Sequence, residues 1–422
     1  MVPMSPTVGG LRASLHGTGR RGRVLVLIAI LVFSLSLRTA VTSLTPLLGR
    51  IGDDLGFGSV ATGLLGMLPT LLFGVAGVVG AGLGRRFGLE QVTTAAVVLT
   101  LVGIGTRAFC SSAWSLILTS TLALFGMGLG NVLVPPLVKR YFADRIAVVS
   151  TVYILCVQLG TTVPAAIAVP VADAAGWRVS LALWALVPLI ALPAWLMVVR
   201  ERRGAPVDDA GVAERRKLPV WRSPIAWGLT LMFGMTSLLT YSLLTWMPKV
   251  ITDAGGSESL GGTAVAVFSG VGLAATVVVP WLTVRFANPF GFVAGFAVCM
   301  LAGLAGLRWA PMDGWIFWAL LTGVGVCSFP MSLTLINVRT RTADGSSALS
   351  SFGQGLGYLL ACAGPLLFGV LHDASGGWDL SFGVLLVATT LMTIGAWIIC
   401  RPRNLEDDLA RRSAAAAPDA LG

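Results

Sequence analysis

Leu31-Val-Phe-Ser-Leu-Ser-Leu-Arg38-Thr-Ala-Val-Thr-Ser-Leu-Thr-Pro46-Leu-Leu48 is the stretch on which the reading of this chain turns. It belongs to an apolar run from Val24 to Leu48. At about 1.5 Å of rise per residue, such a run crosses the hydrocarbon core of a bilayer. Arg38 sits near its middle, where a guanidinium costs roughly 2.5–3.5 kcal/mol on insertion scales unless protein or water receives it. Read as one helix, the run places Ser34, Arg38, Thr42 and Thr45 on a single stripe, with Val32, Leu35 and Leu47 largely off it. That stripe is expected to face a polar interior. Two roles fit an arginine so placed: a substrate or ion site, or a structural charge satisfied by neighbouring helices.

The rest of the chain is of the same kind. Of its 422 residues 55% are hydrophobic and 11% charged, with mean hydropathy +0.86. Average proteins carry about 25% charged residues, and only a membrane protein concentrates apolar residues in runs of spanning length. The fold class is therefore an all-α membrane protein. Length and punctuation by Gly, Pro and charge give twelve transmembrane helices. They cover 24–48, 61–83, 92–109, 114–138, 147–170, 178–199, 224–250, 260–283, 290–309, 314–337, 346–371 and 379–400. The first run is too long for a signal peptide and lacks an A-x-A cleavage site, so it is expected to be retained. Fifty-two glycines suit close helix packing in lipid. The six cysteines show no CxxC spacing and read as free, buried thiols rather than disulfides or metal ligands.

Charge orders these spans. The basic tail 1–23, the Arg85-Arg86 turn, Lys139, Arg140 and Arg145, the segment 200–222, Arg285, the Arg339/Arg341 loop and the tail 401–422 fall on one side. That side collects 23 of the 29 Lys and Arg; Arg50, Arg107, Arg178, Lys249 and Arg308 fall on the other. The positive-inside rule makes both termini cytoplasmic. It also explains the net charge of +10 without a nucleic-acid partner. Segment 200–222 reads as a linker between six-helix bundles at 24–199 and 223–400. These halves repeat at a constant offset of 201: Ser150 matches Ser351, Pro164 matches Pro365, Trp177 matches Trp378 and Ser180 matches Ser381. Because equivalent spans run in the same direction, the halves are parallel repeats about an axis along the membrane normal.

Polar groups inside the spans are few. Four of the seven Asn and Gln fall there: Asn131, Gln158, Asn337 and Gln354, on the fourth, fifth, tenth and eleventh spans. Burying an amide without a partner costs several kcal/mol, so each needs a helix neighbour, water or a ligand. Gln354 and Tyr358 are one helical turn apart, as are Ser237 and Tyr241. The candidate substrate-binding set is Arg38, Thr42, Asn131, Gln158, Tyr241, Gln354 and Tyr358. The alternative for each is interhelical glue, worth about 0.6 kcal/mol per bond. None of the nineteen Asp and Glu lies near a midplane. A coupling role is left to the peripheral pair His372-Asp373, which also reads as a loop-facing cap.

These motifs resemble the cyanate/2-nitroimidazole transporter (CynX/NimT-like) family of the major facilitator superfamily. Leu35-Ser-Leu-Arg38-Thr-Ala-Val-Thr-Ser-Leu-Thr-Pro46-Leu-Leu is similar to its first-span motif, N-L-R-P-A before T-S-V-x-P-L-L. Gly130-Asn131-Val-Leu-Val-Pro135 resembles its fourth span; Ser237, Tyr241, Trp246 and Pro248 its seventh. Gln354-Gly-Leu-Gly-Tyr358 through Pro365, His372-Asp373 and Gly377-Trp378 resemble its eleventh. The chain departs from the pattern at Ser36, usually Asn, at Thr39, usually Pro, and at Gly84, usually Asp. The resemblance implies two parallel six-helix repeats in the major facilitator fold. It also implies alternating-access transport of a small solute, either an anion such as cyanate or a nitroimidazole-like heterocycle, across a bacterial inner membrane. The alternative is a proton-coupled multidrug efflux pump of the same fold. No H-E-x-x-H, G-x-S-x-G or P-loop pattern points to an enzyme. The expected partners are a small-molecule solute and the lipid bilayer, for a monomer with no cofactor and no metal.

Overall fold

The computed structural model describes residues 20–201 and 218–415. Most of the expected linker (202–217) and the outer parts of both tails lie outside that range. Twelve helices long and apolar enough to cross a membrane run from Gly22–Leu55 to Asp379–Ile399, each near its expected position. Neutral names serve for the two ends of the bundle. The basic face gathers most Lys and Arg, and the far face carries the loops after odd-numbered spans.

Two six-helix halves follow the repeat. Within the first, span 1 packs on spans 5 and 6, and span 4 on spans 2 and 3. Within the second, span 7 packs on spans 8, 11 and 12, and span 10 on spans 8 and 9. The halves meet mainly where span 2 lies on span 11 and span 5 on span 8. Those contacts are each other's counterparts under the repeat, as a pseudo-two-fold requires. Detail follows too: the Ser180 hydroxyl donates to the Ala168 carbonyl (2.7 Å) and Ser381 to the Phe368 carbonyl (2.6 Å). Each ties the start of one span to the end of the span before it.

The first span departs from the sequence reading. It is helical over Arg20–Ser36, breaks at Leu37-Arg38, resumes for Thr39–Thr42, tightens into a 3-10 turn at Thr45–Leu47 and continues as Leu48–Leu55. Arg38 adopts φ −132°, ψ −11°, outside the helix. Ser34, Arg38, Thr42 and Thr45 therefore do not form one continuous stripe. Bare carbonyls at such a break have no water to turn to in lipid, and local hydroxyls take over. Ser36 Oγ donates to the Phe33 carbonyl (2.7 Å), Thr39 Oγ1 to Ser36 (3.0 Å) and Thr42 Oγ1 to Arg38 (3.3 Å). The Leu35 carbonyl lies against Gly160 of span 5, which has no side chain to obstruct it.

Two further differences sit on the basic face. Gly84–Phe87 is helix rather than turn, since span 2 continues over Ser59–Phe87; the chain reverses at Gly88, whose φ of 89° suits glycine. The C-terminal tail contains an amphipathic helix, Leu405–Ala415, with Leu405 and Leu409 buried against the second half. Glu406 anchors it by accepting from the Arg341 and Thr342 amides (3.1 Å each) and the Thr342 hydroxyl (2.9 Å). Burial alone would raise the Glu406 carboxyl, but its own amide and those of Thr342 and Arg341 hold it below its ordinary value.

Exposed aromatics ring both ends: Phe109, Trp114 and Trp309 on the far face, Trp221, Trp281 and Trp397 on the basic face. This is the distribution of interfacial belts. The approach of span 5 to the broken segment gives a direct test. A methyl at position 160 would collide with the Leu35 backbone, whereas one at Gly77 meets nothing within 4 Å. Gly160→Ala is expected to destabilise the purified protein by about 1–3 kcal/mol, read as a lower thermal midpoint in detergent. Gly77→Ala should leave the midpoint unchanged, and equal midpoints for the two variants would contradict the close approach.

Candidate functional site

Breaking the first span at Leu37-Arg38 releases the Arg38 side chain from a helical row and turns it across the bundle. Its Nη1 donates to the Tyr241 hydroxyl of span 7 (2.6 Å), a bond that joins the two halves. Its guanidinium carbon lies 4.6 Å from the centre of the Phe73 ring of span 2, a cation–π distance. Tyr358 of span 11 is within electrostatic reach of the same guanidinium. Phe73 meets Tyr241 and Tyr358 edge-on at 6.5 and 6.4 Å, and Phe233 meets Tyr358 at 4.9 Å. Among the described residues no carboxylate pairs with Arg38. The result is a half-buried cation among aromatic rings, satisfied by a neutral phenol.

Arg38, Tyr241 and Tyr358 thus come together; the other candidates stand elsewhere. Thr42 is buried with its hydroxyl on the Arg38 carbonyl, so it braces the break. Asn131 donates to the Met127 carbonyl of its own helix (3.1 Å). Gln158 lies against Gly272 of span 8, at the second contact between the halves. Gln354 donates to Ser350 Oγ (2.6 Å), one turn nearer the basic face than Tyr358. His372 stacks on Trp378 (ring centres 3.7 Å apart), within a cluster that includes Trp246 and Phe368. Asp373 beside it is exposed.

A cavity of about 900 Å³ opens between the halves on the basic face. Pro135 and Tyr153 line it from the first half, Asn337, Ser350 and Gln354 from the second. Its walls are the fourth, fifth, tenth and eleventh spans, those that carry the four in-span amides, although only Asn337 and Gln354 of the four line it. The opposite end is shut. Gly66 of span 2 admits Thr245 and Pro365, and Gly262 of span 8 admits Pro46 and the Ala165 carbonyl. Arg50 there pairs with Asp173 of its own half (2.7 Å) and Glu258 of the other (2.6 Å). The Arg50–Glu258 pair crosses the halves. On the basic face Arg23–Asp144 and Arg341–Asp407 each stay within a half.

Sequence reasoning missed Phe73 and Phe233, because a phenylalanine in an apolar run carries no mark of the cation it will face. It also counted Arg107 only as a far-side charge. The structure buries that residue completely at the end of span 3, where its Nη1 donates to the Ala40 carbonyl (2.6 Å). The 201-residue repeat could have flagged it, since Arg308 occupies the matching position.

Comparison with known proteins agrees with this architecture. Residues 24–362 match the model of the Major Facilitator Superfamily. The chain is 32% identical over 388 residues to a 2-nitroimidazole transporter of Escherichia coli (strain K12), covering 92% of this chain and 97% of that protein. It is 27% identical to the cyanate transport protein CynX of the same strain, covering 86% and 94%. Among solved structures, a D-xylose–proton symporter superposes with TM-score 0.68 at 14% identity, covering 90% of this chain and 99% of that one. A bacterial homologue of the human lysosomal transporter Spinster, inward-facing, gives 0.67 at 14% identity, covering 90% and 95%. At that identity the two structures speak for the fold alone. The chain belongs to the major facilitator superfamily, in its cyanate/2-nitroimidazole transporter-like family, and is a multi-pass membrane transporter rather than an enzyme.

Proposed function

We propose that this protein carries a small, acceptor-rich solute across a bacterial inner membrane by alternating access, with Arg38 as the principal binding charge. The solute is a compact anion such as cyanate or a planar nitroimidazole-like heterocycle. One observation carries the reading: a guanidinium between the halves, held by the Tyr241 hydroxyl and the Phe73 face and paired with no described carboxylate. A guanidinium presents its N–H groups as a planar fork suited to carboxylate-like or nitro oxygens. The surrounding ring faces would accept a flat heterocycle. A cation-exporting drug pump would instead want an acid at this depth, and the site offers none.

In this scheme the proposed cytoplasmic side is the basic face, where the 900 Å³ cavity opens. The Arg50–Glu258 pair and the glycine contacts of spans 2 and 8 close the other side. Solute reaching Arg38 competes with Tyr241 for Nη1. Exchanging that inter-half bond for a solute bond lets the halves part on the far face. The frame is two bundles at 24–199 and 223–400, with the 200–222 linker and both termini in the cytoplasm. His372-Asp373 stays outside the binding step.

Two measurements test this. Calorimetry on purified protein should show Arg38→Gln weakening solute binding by about tenfold to a hundredfold, the worth of one hydrogen bond to a charged group. Arg38→Lys should keep part of the affinity for an anion and less for a bidentate acceptor. A well-folded Gln variant with unchanged affinity would place the site elsewhere. Spin-label distances across the far face should lengthen in Glu258→Gln, by a modest population shift, because a partly exposed pair is worth about 1 kcal/mol or less. An unchanged distance distribution would remove this pair from the closure.

A further inference from the structure

Arg107 poses a separate problem from Arg38. It is fully buried and spends Nη1 on the Ala40 carbonyl, while no described residue accepts from its Nε or Nη2. It lines a cavity of about 10 Å³, room for one water-sized species, together with Thr45 and Ser120. Both of those hydroxyls are buried and lack a protein partner. The cavity thus collects four unused donor groups around a cation. A guanidinium has no acceptor to offer in return. A buried charge without a counterion costs several kcal/mol.

The repeat supplies an internal comparison. Arg308, at the matching position of the second half, receives the Asp379 carboxylate on Nε (2.7 Å) and Nη2 (2.6 Å). The first-half residue matching Asp379 is Arg178, which turns away to Asp54 (2.9 Å). The first half therefore keeps the arginine and has exchanged its acid for a base. The same two nitrogens, Nε and Nη2, are engaged at Arg308 and unengaged at Arg107.

We propose that Arg107, Ser120 and Thr45 form a buried binding site for a monatomic anion, a halide such as chloride. The donor set selects negative charge, and so small a cavity excludes a triatomic or ring-shaped anion, leaving a monatomic one little larger than water. Thr245 of the second half forms part of the wall, its own proton donated to the Tyr241 carbonyl (2.8 Å). It approaches because Gly66 has no side chain. The site is complete only while the halves are closed on the far face, so halide binding favours that state. Through Ala40 it also steadies the turn that follows Arg38.

The test is thermal unfolding of purified full-length protein, titrated with sodium chloride or bromide against sodium gluconate at constant ionic strength. The wild type should gain stability saturably with halide. Ser120→Ala and Thr45→Ala, which leave the guanidinium in place, should each raise the halide concentration for half the effect by about tenfold, the loss of one hydrogen bond to a charged group. Arg38→Gln should retain the full halide response, and bromide-soaked crystals should show an anomalous peak beside Arg107. No halide-specific gain in the wild type would mean that water satisfies the cavity and overturns the proposal. A response untouched by both hydroxyl substitutions, or lost in Arg38→Gln, would overturn it by moving the halide to another site. The two hydroxyl variants carry the result even if Arg107→Leu fails to fold.

Discussion

A polypeptide that stops being helical inside a bilayer must find a partner for every amide and carbonyl it releases, because the solvent supplies none. The break at Leu37-Arg38 creates that demand, and much of the first half is arranged to meet it. Ser36, Thr39 and Thr42 turn their hydroxyls back onto the local chain. Gly160 brings span 5 against the Leu35 carbonyl, and Arg107 reaches in from span 3 to the Ala40 carbonyl. Each unmet group would cost several kcal/mol. These contacts make the break a fixed feature that aims Arg38 across the bundle instead of along it. Span 7, the repeat counterpart, is an uninterrupted helix over Pro224–Asp253 and supplies a firm wall for Arg38 to bond.

The two faces are held by different means. On the far face, glycines of spans 2 and 8 allow backbone and side chains of the opposite half to approach closely, with the Arg50–Glu258 pair added at the rim. Packing of this kind is short-ranged and is lost together once the surfaces separate. On the basic face, the Arg23–Asp144 and Arg341–Asp407 pairs each hold one half to itself, and Glu406 pins the terminal helix to the loop before span 11. Gly84 faces Leu89 and Leu133 of its own half and contributes no charge across the gap.

The membrane architecture was legible because its signals are bulk properties: run length and an offset of 201 between recurring residues. Arg38 was legible as an isolated charge in an apolar run. The helical break was not. Ser36 and Thr39 stand out in the sequence only as departures from the resembled motif, and the fold shows them serving as hydrogen-bond bridges. Nor could the sequence rank the amides within the spans. Asn131 is satisfied within its own helix and Gln158 fills the space above Gly272, outcomes set by which helix comes near. The burial of Arg107 was not legible because a charge two residues from a span end gives no sign in a one-dimensional count of which carbonyl it will reach. Phe73 gave no signal at all, since its role depends wholly on a cation brought from another span.

The aromatic belts have a mechanical consequence. Span 9, Phe290–Trp309, ends in a belt residue and is about 30 Å long at helical rise, close to the hydrocarbon thickness. Trp281 and Trp397 mark the opposite interface. Both halves contribute to the far belt, through Phe109 and Trp114 on one side of the molecule and Trp309 on the other. A half that swings therefore carries its anchors with it, and must either tilt them out of their preferred depth or deform the lipid around them. Mismatch of this kind costs fractions of a kcal/mol per Å. The bilayer then acts as a spring in parallel with the protein, and its thickness enters the balance between the two ends of the bundle alongside any bound solute.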